Sequence, residues 1–164
     1  MQGLFQGAQP ITSFNYGAQN FDRVKKSVRL LTTTAVIYGT LFWLALMLVP
    51  QAFVGMFTGD AELTEMTVWA MRIFLAGVFA FGFQGAFQNS FLALGQAKVS
   101  LLLALLRKIV LLIPLIFVMP LFFENKLFGV FIAEPIADIT AALVTTISFL
   151  TWARRNLNRP KAEI

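Results

Sequence analysis

Cysteine and histidine are both absent from the 164-residue chain. The first absence excludes a disulfide framework and thiolate metal sites. The second removes the commonest metal ligand and the side chain best suited to general-base work near neutral pH. Charge is scarce as well: Asp, Glu, Lys and Arg make up 13% of the residues, against about 25% in ordinary soluble domains. The sequence has no phosphate-binding loop, no metal-spaced cluster and no serine or cysteine nucleophile with a histidine. Hence no enzyme of the usual kinds, no metal and no bound cofactor are expected. Residues 1–20 lack a basic n-region and a small-residue cleavage site, so they do not read as a secretory signal.

What the chain has instead is apolar length. It is 58% hydrophobic, with a mean hydropathy of +0.75. Residues 30–59 and 73–97 carry no charge at all, and each run exceeds the roughly 20 apolar residues a bilayer-crossing helix needs. The fold class expected is therefore all-α, a polytopic helical membrane protein. Five segments are predicted, at about 2–19, 29–53, 65–95, 99–122 and 127–153, forming one membrane lobe (1–153) followed by a polar tail (154–164).

The connecting charges alternate in sign. Arg23, Lys25, Lys26 and Arg29 fall between the first two segments, Lys98 between the third and fourth, and Arg154, Arg155, Arg159 and Lys161 after the fifth. The remaining turns hold Asp60, Glu62 and Glu65, then Glu124 beside Lys126. The positive-inside rule makes the basic side, and with it the C-terminus, cytoplasmic. The net charge of +5 reads as these loops rather than as a nucleic-acid surface. Arg107 and Lys108 lie about two turns inside the fourth segment, so they must snorkel or face protein.

Polar residues inside the spans are the functional candidates. Gln2, Gln6, Gln9, Ser13 and Tyr16 recur at spacings of four and three, which is one face of a helix. That face is either a polar helix–helix seam or a wall of an aqueous or substrate cavity. In the third segment Gly77, Ala80, Gln84, Gln88 and Phe91 form a second stripe with Asn89 beside it, and here packing is the favoured reading. The 18 phenylalanines read mostly as lipid-facing bulk. The fifth segment holds AEPIADI, residues 133–139. Glu134 and Asp138 are four apart on one face that Thr145 and Ser148 continue, roughly 10 and 16 Å into the helix. An ionised carboxylate near mid-bilayer costs about 2.5–3.5 kcal/mol on insertion scales, so both must face protein or water or be protonated. They are candidates for proton or cation coupling, or else a structural pair bonded to Arg72 or to backbone freed by Pro135.

Four stretches, in order, carry a family likeness: GLFQGAQPITSFNYGAQNFDRVKKSVR (3–29), FQNSFLALGQAKVSLLLALLRKIVLLIPL (87–115), VMPLFF (118–123) and FGVFIAEPIADITAALVT (128–145). On these the chain resembles the C-terminal part of the multidrug and toxic compound extrusion (MATE) family, especially its bacterial multidrug exporters. The resemblance implies two six-helix lobes around a substrate cavity, with this chain supplying the eighth to twelfth helices of the second lobe and beginning within or just before the eighth. It implies a multi-pass protein of the bacterial inner (plasma) membrane that exports drug-like, lipophilic or cationic molecules against H+ or Na+ by alternating access. The partners implied are the lipid bilayer, the small-molecule substrate and a missing N-terminal lobe, in the same or a separate chain. Gln6, Gln9, Asn15, Gln84, Gln88 and Asn89 are the cavity or lobe-packing candidates, and Glu134 and Asp138 the coupling candidates. One departure bears on coupling. Some branches carry a coupling acid on the tenth helix, where the matching segment here has Gln84 and Gln88 and no acid. Other branches carry it on the first helix, outside this chain, which would make Glu134 and Asp138 auxiliary. The alternatives are a lipid-linked oligosaccharide flippase or polysaccharide exporter of the wider superfamily, and a non-transporting membrane subunit.

Overall fold

The computed structural model describes residues 1–158. Arg159 and Lys161, assigned above to the basic tail, lie outside the described residues. Among the described residues every element is helical: α1 (Gln2–Gly17), α2 (Phe21–Leu48), α3 (Pro50–Gly55), α4 (Ala61–Phe74), α5 (Phe81–Ala93), α6 (Ala97–Leu105), α7 (Ile113–Val118) and α8 (Lys126–Asn156). A wider π-helical stretch, Leu106–Leu112, joins α6 to α7, and short 3-10 turns at Val78–Ala80 and Met119–Leu121 precede α5 and follow α7.

By length and composition α2, the continuous rod Ala97–Leu121 and α8 are each able to cross a membrane. The pair α4 and Val78–Ala93, bent by 43°, is a fourth such span if taken together. α1 has 16 residues and rises about 24 Å, less than the hydrocarbon thickness of about 30 Å. Its glutamines also lower its hydropathy, so it fails as a free-standing span and is held by packing on α2 and α5.

The helix ends explain two differences from the sequence reading. α2 begins at Phe21, not near residue 29, so Arg23, Lys25, Lys26 and Arg29 lie on its first turns rather than in a loop. Lys and Arg are good helix formers, and their long stems let the charge leave the bilayer while the backbone stays helical. The third segment is not one helix. It breaks after Phe74, and Gly77 falls in the break instead of on a continuous stripe with Gln84. In the break the Leu75 carbonyl accepts from the Val78 amide at 3.1 Å and also from Trp43 Nε1 at 3.0 Å, which ties the bend to α2. Asp60 caps α4 by accepting from the amides of Glu62 and Leu63, and Asn125 caps α8 by accepting from that of Phe128.

α5 is the central element. It packs on α1, α2, α6 and α8, and Phe91 and Ser90 on it are 1% exposed. At its far end an aromatic core joins α5 to α8: Phe87 stacks on Phe149 at 4.8 Å, and Phe91 meets Phe149 edge-on at 5.1 Å. Some of the phenylalanine thus forms core. Phe14, Phe57, Phe117 and Phe122 remain on the outer surface, as expected for lipid-facing bulk.

Candidate functional site

Between α1, α5 and the π-helical stretch lies a cavity of about 370 Å³. Gln2, Gln6, Gln84, Gln88, Asn89 and Arg107 give it polar walls, and Phe5 and Phe81 supply aromatic ones. The two glutamine stripes therefore face one another. Gln6, Gln84, Gln88 and Asn89 are brought together, whereas Gln9 and Asn15 are not among the lining residues. Asn15 lies in a separate groove between α1 and α2, beside Arg23 and Lys26, and donates to the Ile11 carbonyl of its own helix at 2.8 Å.

The lining amides are unequally committed. Gln88 Nε2 donates to the Ser100 carbonyl at 3.1 Å, and Ser100 Oγ donates to the Gln88 carbonyl at 3.2 Å. This reciprocal tie fixes α5 to α6, so Gln88 serves packing as well as the wall. Asn89 Nδ2 donates to Gly85 O, one turn back. Gln84 differs: it is 4% exposed, and its Oε1 has no hydrogen-bond partner. A buried polar group without a partner is rare and costly. Gln84 is thus a buried amide with an unused acceptor, and Gln2 and Gln6, both exposed, make no side-chain hydrogen bond among the described residues, so their amides are free for a molecule in the cavity.

Arg107 closes the site and was missed as a cavity residue in the sequence reading. Its Nε donates to Asp138 Oδ1 at 2.6 Å, and its Nη2 lies 2.6 Å from the same oxygen. Nη2 also lies 3.4 Å from Glu134 Oε1, and Lys108 Nζ reaches that Glu134 oxygen at 3.2 Å. Two cations thus meet two carboxylates, Arg107 and Asp138 inside the bundle and Lys108 reaching in from a half-exposed position, and Arg72, the partner considered from sequence, is exposed elsewhere. On a regular helix neighbouring residues point about 100° apart. Here Arg107 and Lys108 both reach α8 from the π-helical turn, a local widening that recurs at functional sites. The guanidinium also sits 4.3 Å from the centroid of the Phe81 ring, a cation–π contact that offsets part of its desolvation.

Asp138 is 1% exposed, and its Oδ2 has no partner. Its seat is shaped by the break in the third segment. A Cβ on Gly77 would stand 2.8 Å from Pro135 Cα and 3.1 Å from Asp138 Cβ. The missing side chain at Gly77 is what lets the bent element lie against the Pro135–Asp138 turn of α8. Thr145, on the same face of α8, is buried with its hydroxyl unpartnered. Among the described residues no group of three or more Asp or Glu side chains is placed to hold a metal ion.

The family model described as MatE matches residues 1–118. The multidrug export protein MepA of Staphylococcus saprophyticus subsp. saprophyticus is 25% identical over 171 residues, covering 100% of this chain and 35% of that protein. MepA of Staphylococcus aureus (strain N315) is 24% identical over 146 residues, covering 88% and 32%. A solved structure of the MATE multidrug transporter DinF-BH is 36% identical with a TM-score of 0.84, covering 96% of this chain and 34% of that one. Inward- and outward-facing structures of a multidrug resistance MATE family transporter of the MOP superfamily, at 18% identity, share the fold, each with a TM-score of 0.85. The chain spans about a third of the length of the curated relatives it matches.

Proposed function

The chain belongs to the MatE family, and from that membership we propose that it forms part of the C-terminal lobe of a cation-coupled exporter of drug-like molecules in the bacterial plasma membrane, with the basic end of the bundle cytoplasmic. The reading rests on one feature of the molecule above all: an amide- and guanidinium-walled cavity inside a membrane bundle, backed by the buried carboxylate of Asp138 and the partly buried one of Glu134. Lipid has no use for such a surface, because unsatisfied polar groups are costly in hydrocarbon. A small molecule passing between two lobes does. The other lobe is the partner that completes the cavity, in the same or a separate chain. The equal likeness to inward- and outward-facing forms supports a half that keeps its fold while the two halves rock.

Coupling follows from competition at Asp138. A proton, or a sodium ion in its place, arriving at this carboxylate displaces Arg107, and the guanidinium is then left to the cavity above Phe81. A cationic ligand there is repelled as the coupling ion binds, which is the linkage an antiporter needs. Gln84 and Gln6 hold the ligand's polar groups, and Phe5 and Phe81 its flat apolar surface. A flippase for lipid-linked phosphates would need cations free to meet the phosphate. Arg107 is the one charged side chain among the lining residues, and Asp138 already engages it, so the drug-exporter reading is preferred.

Dye efflux in a drug-sensitive bacterium tests this. With an N-terminal lobe present, in the same chain or co-expressed, a fluorescent cationic dye is expected to be expelled, and expulsion stops when the ion gradient is collapsed. Asp138→Asn is expected to fold, because it keeps shape and loses only charge, and to abolish the dependence on the gradient. Efflux by this chain alone, blocked by Asp138→Asn, would show that a second lobe is not required and overturn the reading.

A further inference from the structure

At the basic end of the bundle a second groove, about 310 Å³ in volume, runs between α2 and α8. Lys25 and Arg29 stand on its α2 wall, Leu150 on its α8 wall with Leu157 just past the end of α8, and the stacked pair Phe87 and Phe149 lies beneath. Lys25 and Arg29 are one turn apart, so their stems leave the same face of α2. No carboxylate is among the residues lining the groove. Among the described residues Lys25 pairs only with Asp22, at 4.0 Å from its Nζ and fully exposed, a pairing of little strength. Among the described residues Arg29 makes no ion pair.

The order of chemistry along the groove is what selects an occupant. Arg29 is the last charge before the uncharged run that opens at Leu30, so it marks the interface between headgroups and hydrocarbon. Outward of it stands Lys25. Inward come Thr32 and the exposed Thr33, whose hydroxyl lies on the groove wall, and then the apolar floor and Leu150. A cationic mouth, a hydroxyl just below it and an apolar trough pointing into the bilayer match a phosphodiester, a glycerol backbone and an acyl chain, in that order. We propose that this groove is a binding site for one anionic phospholipid, its phosphate held by Lys25 and Arg29 and one acyl chain lying on Phe149 and Leu150. Basic clefts between membrane helices are a recurrent solution for such headgroups. The site is independent of what the central cavity carries. It staples α2 to α8, the two longest helices of the lobe.

Native mass spectrometry in detergent, on the protein purified from its host membranes, tests the proposal with phosphatidylglycerol as probe. One lipid per chain is expected to be retained, and phosphatidylcholine of the same chain length is expected to be lost. Lys25→Gln with Arg29→Gln should lower the apparent affinity roughly thirtyfold. Arg23→Gln with Lys26→Gln removes the same charge from residues that face the groove on the α1 side, and should leave retention unchanged. Leu150→Trp should expel the lipid while both cations stay. Equal losses in the two charge variants would mean diffuse attraction to a basic end and overturn the site. Competition by soluble glycerol phosphate as strong as by the lipid would mean a free-phosphate site and overturn the acyl-chain assignment.

Discussion

Arg107→Met is expected to leave little folded protein in the membrane, while Arg107→Met combined with Asp138→Asn restores most of it. Asp138 is 1% exposed, and Arg107 supplies both nitrogens within 2.6 Å of its Oδ1. Lys108 is committed to Glu134 at 3.2 Å, so no second cation is at hand. Removing one partner of a buried pair costs about 3–5 kcal/mol, because the other charge is left uncompensated, whereas removing both is often near neutral. Methionine retains much of the apolar stem of arginine, which separates loss of charge from loss of packing. Asp138→Asn alone should be the milder single change, since Arg107 keeps its contact with Glu134 and its place over Phe81. The quantity to measure is the yield of monodisperse protein and its thermal midpoint in detergent, across the full double-mutant cycle. If the double variant is as depleted as the sum of the two singles, the pair is not what holds α8 to the π-helical turn.

That pair also shows where reading the sequence stopped. The all-helical class was legible in the hydropathy, and three of the apolar runs become the spanning elements α2, Ala97–Leu121 and α8, whereas the first segment is too short to span freely and the third is bent. The amide faces of α1 and α5 were legible as stripes, and they do meet across one cavity. Choosing which cation answers Glu134 and Asp138 was not possible from spacing. Arg72 and Arg107 both lay in or beside apolar runs, and only the π-helical widening turns Arg107 and Lys108 toward α8. Such a widening adds a residue to a turn without any signature in composition. Asn15 fell outside the cavity for a similar reason. A face of α1 can be drawn on a helical wheel, but which neighbour covers each part of it depends on how α2 crosses. The break at Gly77 was hidden because the apolar run continues straight through it, and the proof that glycine is needed there lies on another helix, at Pro135.

Gly82→Ala should destabilise the lobe and resist rescue, and a neighbouring glycine supplies the contrast. A Cβ at Gly82 would stand 2.7 Å from Val36 Cα and 2.9 Å from both the Ala35 carbonyl oxygen and the Val36 amide nitrogen. All of these are backbone atoms of α2, so the new methyl can be accommodated only by moving α2 away from α5, the closest support of the lobe's interior. Alanine gains about 1 kcal/mol over glycine in helix propensity, yet overpacking that shifts backbone typically costs about 1–3 kcal/mol and occasionally more. Net of the propensity gain, a loss of up to about 2 kcal/mol in a chain of this length lowers the thermal midpoint by up to about 8 °C, and more where the backbone must shift. Val36→Ala should not restore it, because trimming a side chain removes none of the clashing atoms. At Gly85 the obstacle is instead the tip of the Phe5 ring, with Cζ at 2.5 Å and Cε2 at 2.6 Å from the added Cβ. A ring on α1 can be shortened, so Gly85→Ala should be rescued by Phe5→Leu. Measured together in detergent melts, the two glycines separate a helix crossing set by backbone from one set by a side chain. Rescue of Gly82→Ala by Val36→Ala would show that α2 and α5 are not held at backbone contact.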